Sequence, residues 1–92
     1  MAFCTVEEAA GILRGGGMVL VTDDEHRENE GDLVAAAAGC TPQTINFMAT
    51  HGRGLICVPM EADRLRALGL ERMVPPDERD RYRTAFTVTV DR

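Results

Sequence analysis

Apolar residues recur along the first part of the chain at two spacings, and each spacing predicts a different element. Thr5 and Glu8 form a capping-box pattern, and apolar residues follow at helical spacing over 6–13. The glycine run at 15–17 predicts the end of this helix, because glycine readily takes the left-handed conformation of a helix C-cap. The next apolar run, residues 18–21, is rich in β-branched side chains and predicts a buried strand.

The rest of the chain alternates between the same two patterns. Residues 33–37 predict a second strand, and the Thr-Pro pair at 41–42 predicts a helix start with proline at the first helical position. Further predicted elements are a strand at 55–58, a short helix at 61–68 and a strictly alternating strand at 84–90. Helices and strands around one sheet favour the α+β class, with a mixed β-sheet flanked by helices.

Residues 23–32 carry six acidic side chains, one arginine and one histidine between two apolar runs. Such a density of charge is usual in a solvated surface loop. Glu28, Glu30 and Asp32 nevertheless fall on alternate positions, and alternate residues of an extended chain point to one side. Three carboxylates held together repel unless a cation or a shared proton lies among them, and Mg²⁺ or Mn²⁺ suits oxygen ligands. The residues alone therefore leave two interpretations, a surface loop or a cation site.

The composition of the 92 residues allows one small domain and argues against two kinds of partner. A net charge of −5 is unfavourable for nucleic-acid binding, which needs a basic face. No apolar run approaches the ~20 residues of a membrane span. The cysteines, Cys4, Cys40 and Cys57, are odd in number and lack metal-type spacing. They predict reduced thiols in a cytoplasmic protein.

Three segments, taken in order, resemble the signature of the 3,4-dihydroxy-2-butanone 4-phosphate synthase family. They are the acidic stretch at 23–32, INFMATHGRGLICVP at 45–59 and TAFTVTVD at 84–91. The resemblance implies an enzyme of riboflavin biosynthesis, a carbon-carbon lyase that converts D-ribulose 5-phosphate to 3,4-dihydroxy-2-butanone 4-phosphate and formate. It also implies Mg²⁺ or Mn²⁺ as cofactor, and a homodimer with active sites near the interface.

The resemblance assigns roles to five residues of this sequence. Glu28 would be the metal ligand and would bind substrate together with Arg27 and Asp32. Glu30 and Asp32 would be catalytic, with Glu30 as a candidate acid or base beside the sugar hydroxyls. Cys57 would be catalytic near the substrate, although its position equally fits a small buried hydrophobe in a strand. The alternative for Arg27 is a surface ion pair.

Three other residues have weaker assignments. Asp23 is expected to line the same pocket as the five residues above. His51 is expected to end a helix rather than to bind metal. Arg53 is expected to be a surface or helix-end charge, with a phosphate contact as the alternative.

One block of the family's pattern is not found in these 92 residues. Family members carry a Gly-His-Thr-Glu block whose histidine also binds the metals, and the block is absent here. Residues 1–92 are therefore expected to be a partial synthase domain that lacks the C-terminal half and is inactive alone. Two alternatives stay open: an incompetent remnant that assembles with a full-length synthase, and a small acidic domain that binds a divalent ion without catalysis.

Overall fold

The computed structural model describes residues 3–75 and 85–90. These residues form three α-helices and two β-strands, with a short 3-10 turn and one π-turn between them. The chain divides into two units, Met1–Val58 and Pro59–Arg92. The longest of the described helices has nine residues, far short of the roughly 20 that cross a bilayer.

Helix α1 spans Val6–Arg14 and begins where the capping pattern predicts. The Thr5 hydroxyl accepts a hydrogen bond from the Glu8 N–H (3.1 Å), which satisfies one of the free donors of the first turn. The helix contacts the first strand of the unit, and Ala9 and Leu13 are half-buried on it. The predicted apolar stripe is therefore covered only in part, since Val6 is 81% and Ile12 43% exposed.

The C-terminus of α1 is closed by two glycines, for two different reasons. Gly16 takes a left-handed φ of 84°, which other residues adopt only at a cost. The Gly16 and Gly17 N–H groups donate to the carbonyls of Leu13 and Ile12, as in a Schellman motif. A Cβ at Gly17 would lie 2.8 Å from Cγ2 of Ile12, so this position also lacks room for a side chain.

The next two elements form a β-hairpin. Strand β1 spans Met18–Thr22 and strand β2 spans Gly31–Ala35, antiparallel, with Met18 opposite Ala35 and Thr22 opposite Gly31. The second strand thus begins and ends two residues before the predicted 33–37. Among the described residues this two-stranded antiparallel sheet stands where the sequence predicted a mixed sheet. The predicted α+β class is confirmed.

The register of the hairpin sorts its residues between two faces. Directly opposite residues of an antiparallel pair lie on the same face, and faces alternate along each strand. Leu20 and Leu33 therefore share one face, and Val21 and Asp32 share the other. On the first face Leu33 lies against Gly52, where a Cβ would be 3.4 Å from Leu33 Cδ1. Asp32 belongs to the opposite face, which carries polar as well as apolar side chains.

Helix α2 spans Pro42–Phe47 and continues directly into the π-turn Met48–Gly52. Its start is a reciprocal capping box: the Thr44 N–H donates to the Thr41 hydroxyl (3.2 Å), and the Thr41 N–H donates to the Thr44 hydroxyl (3.3 Å). The π-turn ends at Arg53, which takes a left-handed conformation with φ 56° and ψ 39°. The helix start predicted from the Thr-Pro pair is confirmed.

The second unit, described by itself, contains helix α3, Ala62–Leu68, and one isolated β-bridge. The bridge joins Arg72 to Thr87 in antiparallel fashion. The strand predicted at 84–90 is therefore wrong for its described part, residues 85–90, because a single bridge replaces a ladder. Thr84 lies outside the described residues.

The strand predicted at 55–58 is also wrong, because these residues pair with no strand in the described structure. Leu55 is 81% exposed and Val58 is 59% exposed. An apolar, β-branched segment is suited to a strand, but it forms one only where a neighbour supplies partners for its N–H and C=O groups. The sequence shows the apolar, β-branched composition, but it does not show whether a neighbouring strand is available.

No residue among 3–75 and 85–90 is fully buried. Large apolar side chains are exposed in both units, among them Leu20, Val21 and Ile56 in the first and Val74, Val88 and Val90 in the second. Single exposed apolar residues are ordinary, but this number in so short a chain leaves much apolar surface that association could cover.

Candidate active site

Four of the predicted residues, Asp23, Arg27, Glu28 and Glu30, lie in the loop that joins β1 to β2, and Asp32 is the second residue of β2. Asp23 and Glu30 close this loop by exchanging hydrogen bonds. The Asp23 N–H donates to the Glu30 carbonyl (3.2 Å), and the Glu30 N–H donates to Asp23 Oδ1 (2.8 Å). Because Thr22 pairs with Gly31 in the sheet, this contact extends the hairpin by one residue pair. The loop is therefore anchored to a regular element.

The Asp23 carboxylate also holds the interior of the loop. Its Oδ2 accepts a hydrogen bond from the Glu28 N–H (3.0 Å) and one from Arg27 Nη1 (2.9 Å). With the Glu30 N–H on Oδ1, three donors converge on one side chain, which is 23% exposed. Asp23 is the residue around which the loop is arranged.

These donors lower the pKa of Asp23 below its ordinary value of 3.8. The hydrogen bond from the Glu30 N–H is the largest cause. The Glu28 N–H and the Arg27 guanidinium act in the same direction, while desolvation opposes them. Each of the three donors favours the charged carboxylate, so the loop selects the ionised form of Asp23.

The first half of the loop is a tight turn made by Asp24. Its carboxylate Oδ1 accepts from the His26 N–H (2.7 Å), and its carbonyl accepts from the N–H groups of Arg27 (2.9 Å) and Asn29 (3.3 Å). Asn29 follows the turn with a φ of 52°. Asparagine is one of the few residues that tolerate this left-handed conformation, so it suits the point where the chain returns to the hairpin.

Arg27 and Glu28 form an ion pair within the loop. Arg27 Nη2 lies 2.8 Å from Glu28 Oε1, and Nη1 contacts Asp23, so the guanidinium bridges two carboxylates. The Glu28 side chain is 29% exposed and that of Arg27 is 61% exposed. The ion pair that the sequence offers as an alternative role for Arg27 is therefore present.

The expected alternation of three carboxylates is only partly formed. Glu28 lies in the turn, and the left-handed Asn29 separates it from the extended segment that follows. Glu30 and Asp32 remain two residues apart on that segment, and both are exposed. The prediction of one extended row is thus wrong at Glu28. Within residues 3–75 and 85–90, no three His, Cys, Asp or Glu side chains come together as a group that could hold a metal ion.

Cys57 is an exposed free thiol. The alternative that it is a small buried hydrophobe in a strand is wrong, since residues 55–58 neither pair nor bury their side chains. His51 lies in the π-turn, with its ring 4.5 Å from that of Phe47 between centroids. This agrees with the expectation that His51 ends a helix.

Asp23 is more central to the loop than its position in the sequence indicates. Its only signal is an aspartate directly after a strand at the start of a turn-rich stretch, where Asp side chains often bond the backbone of the following residues. The donors from Glu28 and Glu30 reach it across five and seven positions. The pattern of residue types does not specify contacts of this range.

The contacts within the loop determine which carboxylates a ligand can reach. Glu30 in the loop and Asp32 in β2 present their carboxylates to solvent, and Asp23 holds Glu28 and Arg27 beside each other. Exposed carboxylates accept hydrogen bonds from hydroxyl groups and can transfer protons. Carboxylate oxygens are also ligands for hard divalent cations. The site therefore suits a ligand that offers hydroxyl groups better than a purely apolar one.

Fold and loop define a class, an α+β protein with a hydrogen-bonded acidic loop at the end of a β-hairpin. Residues 7–92 match the sequence model of a family described as 3,4-dihydroxy-2-butanone 4-phosphate synthase. The chain belongs to this synthase family, and the resemblance drawn from its three segments is confirmed.

Named relatives agree with this membership. The riboflavin biosynthesis protein RibBA of Bacillus mycoides strain KBAB4 is 53% identical over 89 residues, which are 97% of this chain and 22% of that protein. RibBA of Bacillus velezensis is 52% identical with the same coverage. Among solved structures, RibBX, a two-domain 3,4-dihydroxy-2-butanone 4-phosphate synthase from A. baumannii, matches with a TM-score of 0.75 and 47% identity. That match covers 84% of this chain and 23% of RibBX.

The chain spans about a fifth of the length of the curated relatives it matches. The shared part contains the whole acidic loop, because the family match begins at residue 7 and continues to residue 92. The matched residues therefore support the family membership and the α+β fold of this chain. The activity of the relatives as whole proteins is a separate question.

Proposed function

We propose that this chain supplies the acidic loop of a 3,4-dihydroxy-2-butanone 4-phosphate synthase, which converts D-ribulose 5-phosphate to 3,4-dihydroxy-2-butanone 4-phosphate and formate. One observation carries the proposal: a loop tied together by Asp23 presents carboxylates in a chain that belongs to this family. Residues 1–92 would form a partial synthase domain. On this proposal they would not complete the reaction by themselves.

The reaction requires enolisation beside a ketone, a skeletal shift and loss of one carbon as formate. Each of these steps moves protons on or off sugar oxygens and carbons. Glu30 is proposed as the acid or base, and Asp32 as the group that accepts hydrogen bonds from sugar hydroxyls and assists proton transfer. Their exposure leaves both carboxylates accessible to a substrate. Arg27 would orient a substrate oxyanion, since its planar guanidinium is 61% exposed and its contacts with Asp23 and Glu28 fix its position.

The Glu28 carboxylate fits a hard divalent ion as one ligand among several. Its carboxylate oxygens can bind such an ion. The residue is held in place by the hydrogen bond from its backbone N–H to Asp23 and by its ion pair with Arg27. Mg²⁺ commonly binds one or two carboxylates and takes its remaining ligands from substrate and water, and Mn²⁺ accepts similar ligands. When bound, the ion would stabilise negative charge on sugar oxygens. The residues of this chain would hold it only in part, as no three-residue group is formed within the described residues.

Cys57 is proposed as a further catalytic residue beside the substrate. Its thiol is exposed and free, so a proton-transfer role is open to it. All three cysteines are free thiols, which supports a cytoplasmic location.

A chimaeric enzyme tests the proposed function directly. The matched 89-residue segment of Bacillus mycoides RibBA is replaced by the corresponding segment of this chain, and formate release from D-ribulose 5-phosphate is measured with Mg²⁺. We expect the chimaera to release formate. Glu30→Gln in the chimaera should lower the rate by about 100-fold or more, the usual contribution of general acid–base catalysis.

Glu25→Gln is the matched control. Glu25 belongs to the same loop, and its exposed side chain lies 3.9 Å from His26 rather than among the proposed catalytic groups. The substitution removes the same charge and should leave the rate nearly unchanged. A chimaera that folds, as judged by circular dichroism, but releases no formate while the parent enzyme is active would contradict the proposal.

A second candidate role is assembly with a complete synthase chain without catalysis. The observation that favours it is the exposed apolar surface of both units together with the absence of a fully buried residue among the described ones. Pairing could also occur between two copies of this chain, as a homodimer. Sedimentation velocity of the chain alone, and mixed with RibBA, distinguishes these states. Co-sedimentation with RibBA without any gain in formate release would favour the assembly role.

A further inference from the structure

The ion pair between Arg27 and Glu28 occupies the carboxylate that is proposed to bind a divalent cation. Arg27 Nη2 lies 2.8 Å from Glu28 Oε1. Mg²⁺ lies about 2.1 Å from its oxygen ligands, so an ion on Glu28 would stand close to the guanidinium. Two positive groups at that range repel each other. Glu28 therefore cannot bind the ion and keep its contact with Arg27 unchanged.

This contact is one that a divalent cation can displace. The Arg27 side chain is 61% exposed and that of Glu28 is 29% exposed. An ion pair in contact with water contributes little free energy, because water screens the attraction and two side chains must be held in one geometry. A divalent ion carries twice the charge of the guanidinium, so its attraction to the same carboxylate is stronger at equal distance. The balance favours exchange of the arginine for the ion.

Asp23 keeps both residues in place when their side chains separate. Its Oδ2 accepts a hydrogen bond from the Glu28 N–H (3.0 Å) and one from Arg27 Nη1 (2.9 Å). The first uses the backbone of Glu28, and the second uses the arm of the guanidinium that does not contact Glu28. The Arg27–Glu28 contact can therefore open without loss of the two hydrogen bonds that position these residues.

We infer that the Arg27–Glu28 ion pair is a latch, which opens when Glu28 exchanges the guanidinium for a divalent cation. The inference rests on the proposed function, which makes Glu28 the metal ligand. Nη1 stays on Asp23, while Nη2 leaves Glu28 and turns toward the ligand, where it meets an oxyanion. The loop thus presents this arm of its arginine to an anionic ligand once the cation is in place.

Side-chain NMR of Arg27 in the full 92-residue chain tests the inference, with Mg²⁺ alone as the probe. The guanidinium nitrogen resonances report hydrogen bonding, and their line shapes report rotation of the group. Addition of Mg²⁺ should shift the Arg27 resonances and speed the rotation, because one of the two carboxylate contacts is lost. The side-chain carboxyl carbon of Glu28 should shift with the same midpoint.

Two variants of the loop separate the latch from a general effect of charge. Glu28→Gln should mimic the open latch, so its Arg27 signals without Mg²⁺ should resemble those of wild type with Mg²⁺, and Mg²⁺ should not move them further. Glu25→Gln removes the same charge and leaves Glu28 in place, so its Arg27 signals should respond to Mg²⁺ as in wild type. Wild-type Arg27 signals that do not change with Mg²⁺ would overturn the inference. So would Arg27 signals that are alike in the two variants.

The affinity for Mn²⁺, measured by electron paramagnetic resonance, is an independent readout. Arg27→Gln removes the competing group and should tighten Mn²⁺ binding about two- to fivefold, the effect of one exposed ion pair. Arg27→Lys keeps the charge but lacks the second arm that bridges two carboxylates, so its affinity should fall between those of Arg27→Gln and wild type. Arg14→Gln removes the same charge from the last turn of α1, before β1, and should bind Mn²⁺ as wild type does.

Equal or weaker Mn²⁺ binding by Arg27→Gln would mean that Arg27 does not compete with the ion for Glu28, and the inference would be wrong. Formate release by the chimaera judges the proposed function separately. An active chimaera combined with Arg27 signals that ignore Mg²⁺ would refute the latch and leave the proposed function intact.

Discussion

Asp23 and Glu30 exchange two hydrogen bonds across the base of the acidic loop, one between backbone groups (3.2 Å) and one from the Glu30 N–H to Asp23 Oδ1 (2.8 Å). The pair continues the register of the hairpin beyond Thr22 and Gly31. Asp32, two residues beyond Glu30, therefore has its position set by the sheet. Catalytic groups on regular elements are held more closely than groups on free loops.

The first prediction concerns the ionisation of Asp23. Its folded-state pKa is lowered, chiefly by the Glu30 N–H, so the carboxylate contributes stability above its ordinary pKa of 3.8. That contribution is lost as pH falls through the lowered folded value. Carbon-detected NMR titration of the side-chain carboxyl should give a midpoint below 3.8. The loop amides of Glu28 and Glu30 should shift with the same midpoint.

Asp23→Asn supplies the control for this titration. The amide keeps an oxygen acceptor but lacks the charge, so the acid-dependent shifts of the Glu28 and Glu30 amides should disappear. Amide hydrogen exchange in the loop should also be faster at neutral pH. A normal midpoint for Asp23, or loop amides that titrate unchanged in the variant, would refute its organising role.

The second prediction concerns Glu28, the proposed metal ligand. Glu28→Gln should weaken Mn²⁺ binding by at least about tenfold, because even the loss of groups behind a metal ligand costs about 10–100-fold. Mn²⁺ binding is measured by electron paramagnetic resonance in the presence of D-ribulose 5-phosphate, which can supply further oxygen ligands.

Glu25→Gln removes the same charge from the same loop and serves as the comparison. Glu25 is exposed and lies near His26 instead of Arg27. Equal weakening by the two substitutions would mean that the loop attracts the ion only through its net charge. Glu28 would then lose its assignment as a ligand.

Helix ends and strand β1 could be predicted from the sequence with little error, while the strands at 55–58 and 84–90 could not. The cap of α1 depends on Thr5 and Glu8, three positions apart, and its end depends on Gly16, so all the determinants are local. Residues 55–58 have the composition of a strand but lack a partner in the described structure. Strand formation requires a neighbouring strand from some part of the protein, and local composition does not identify that neighbour.

The candidate site shows the same division between local and distant determinants. The sequence located the acidic loop and named Glu28, Glu30 and Asp32 from residue type and spacing. It did not indicate that Asn29 turns left-handed, which removes Glu28 from the extended row. Nor did it indicate that Arg27 bridges Asp23 and Glu28, since that geometry exists only once the hairpin closes.

The third prediction tests whether Cys57 lies near the bound substrate. Cys4, Cys40 and Cys57 are all exposed, so all three should react with iodoacetamide in the native chain. D-ribulose 5-phosphate with Mg²⁺ should slow alkylation of Cys57 by several-fold and leave Cys4 unaffected, as followed by peptide mass spectrometry. Uniform protection of the three thiols would indicate a general stabilisation of the fold instead of a local contact.

The last prediction compares a glycine within α1 with one just after its C-terminus, which differ in backbone conformation. Gly11 lies within the helix, and a Cβ there would meet nothing within 4 Å. Gly11→Ala should therefore stabilise the chain by about 0.5–1 kcal/mol. Gly16 has a φ of 84°, so Gly16→Ala should destabilise it by roughly 1–2 kcal/mol despite equally open space. Urea unfolding measures both, and equal effects of the two substitutions would show that the left-handed cap does not limit the helix end.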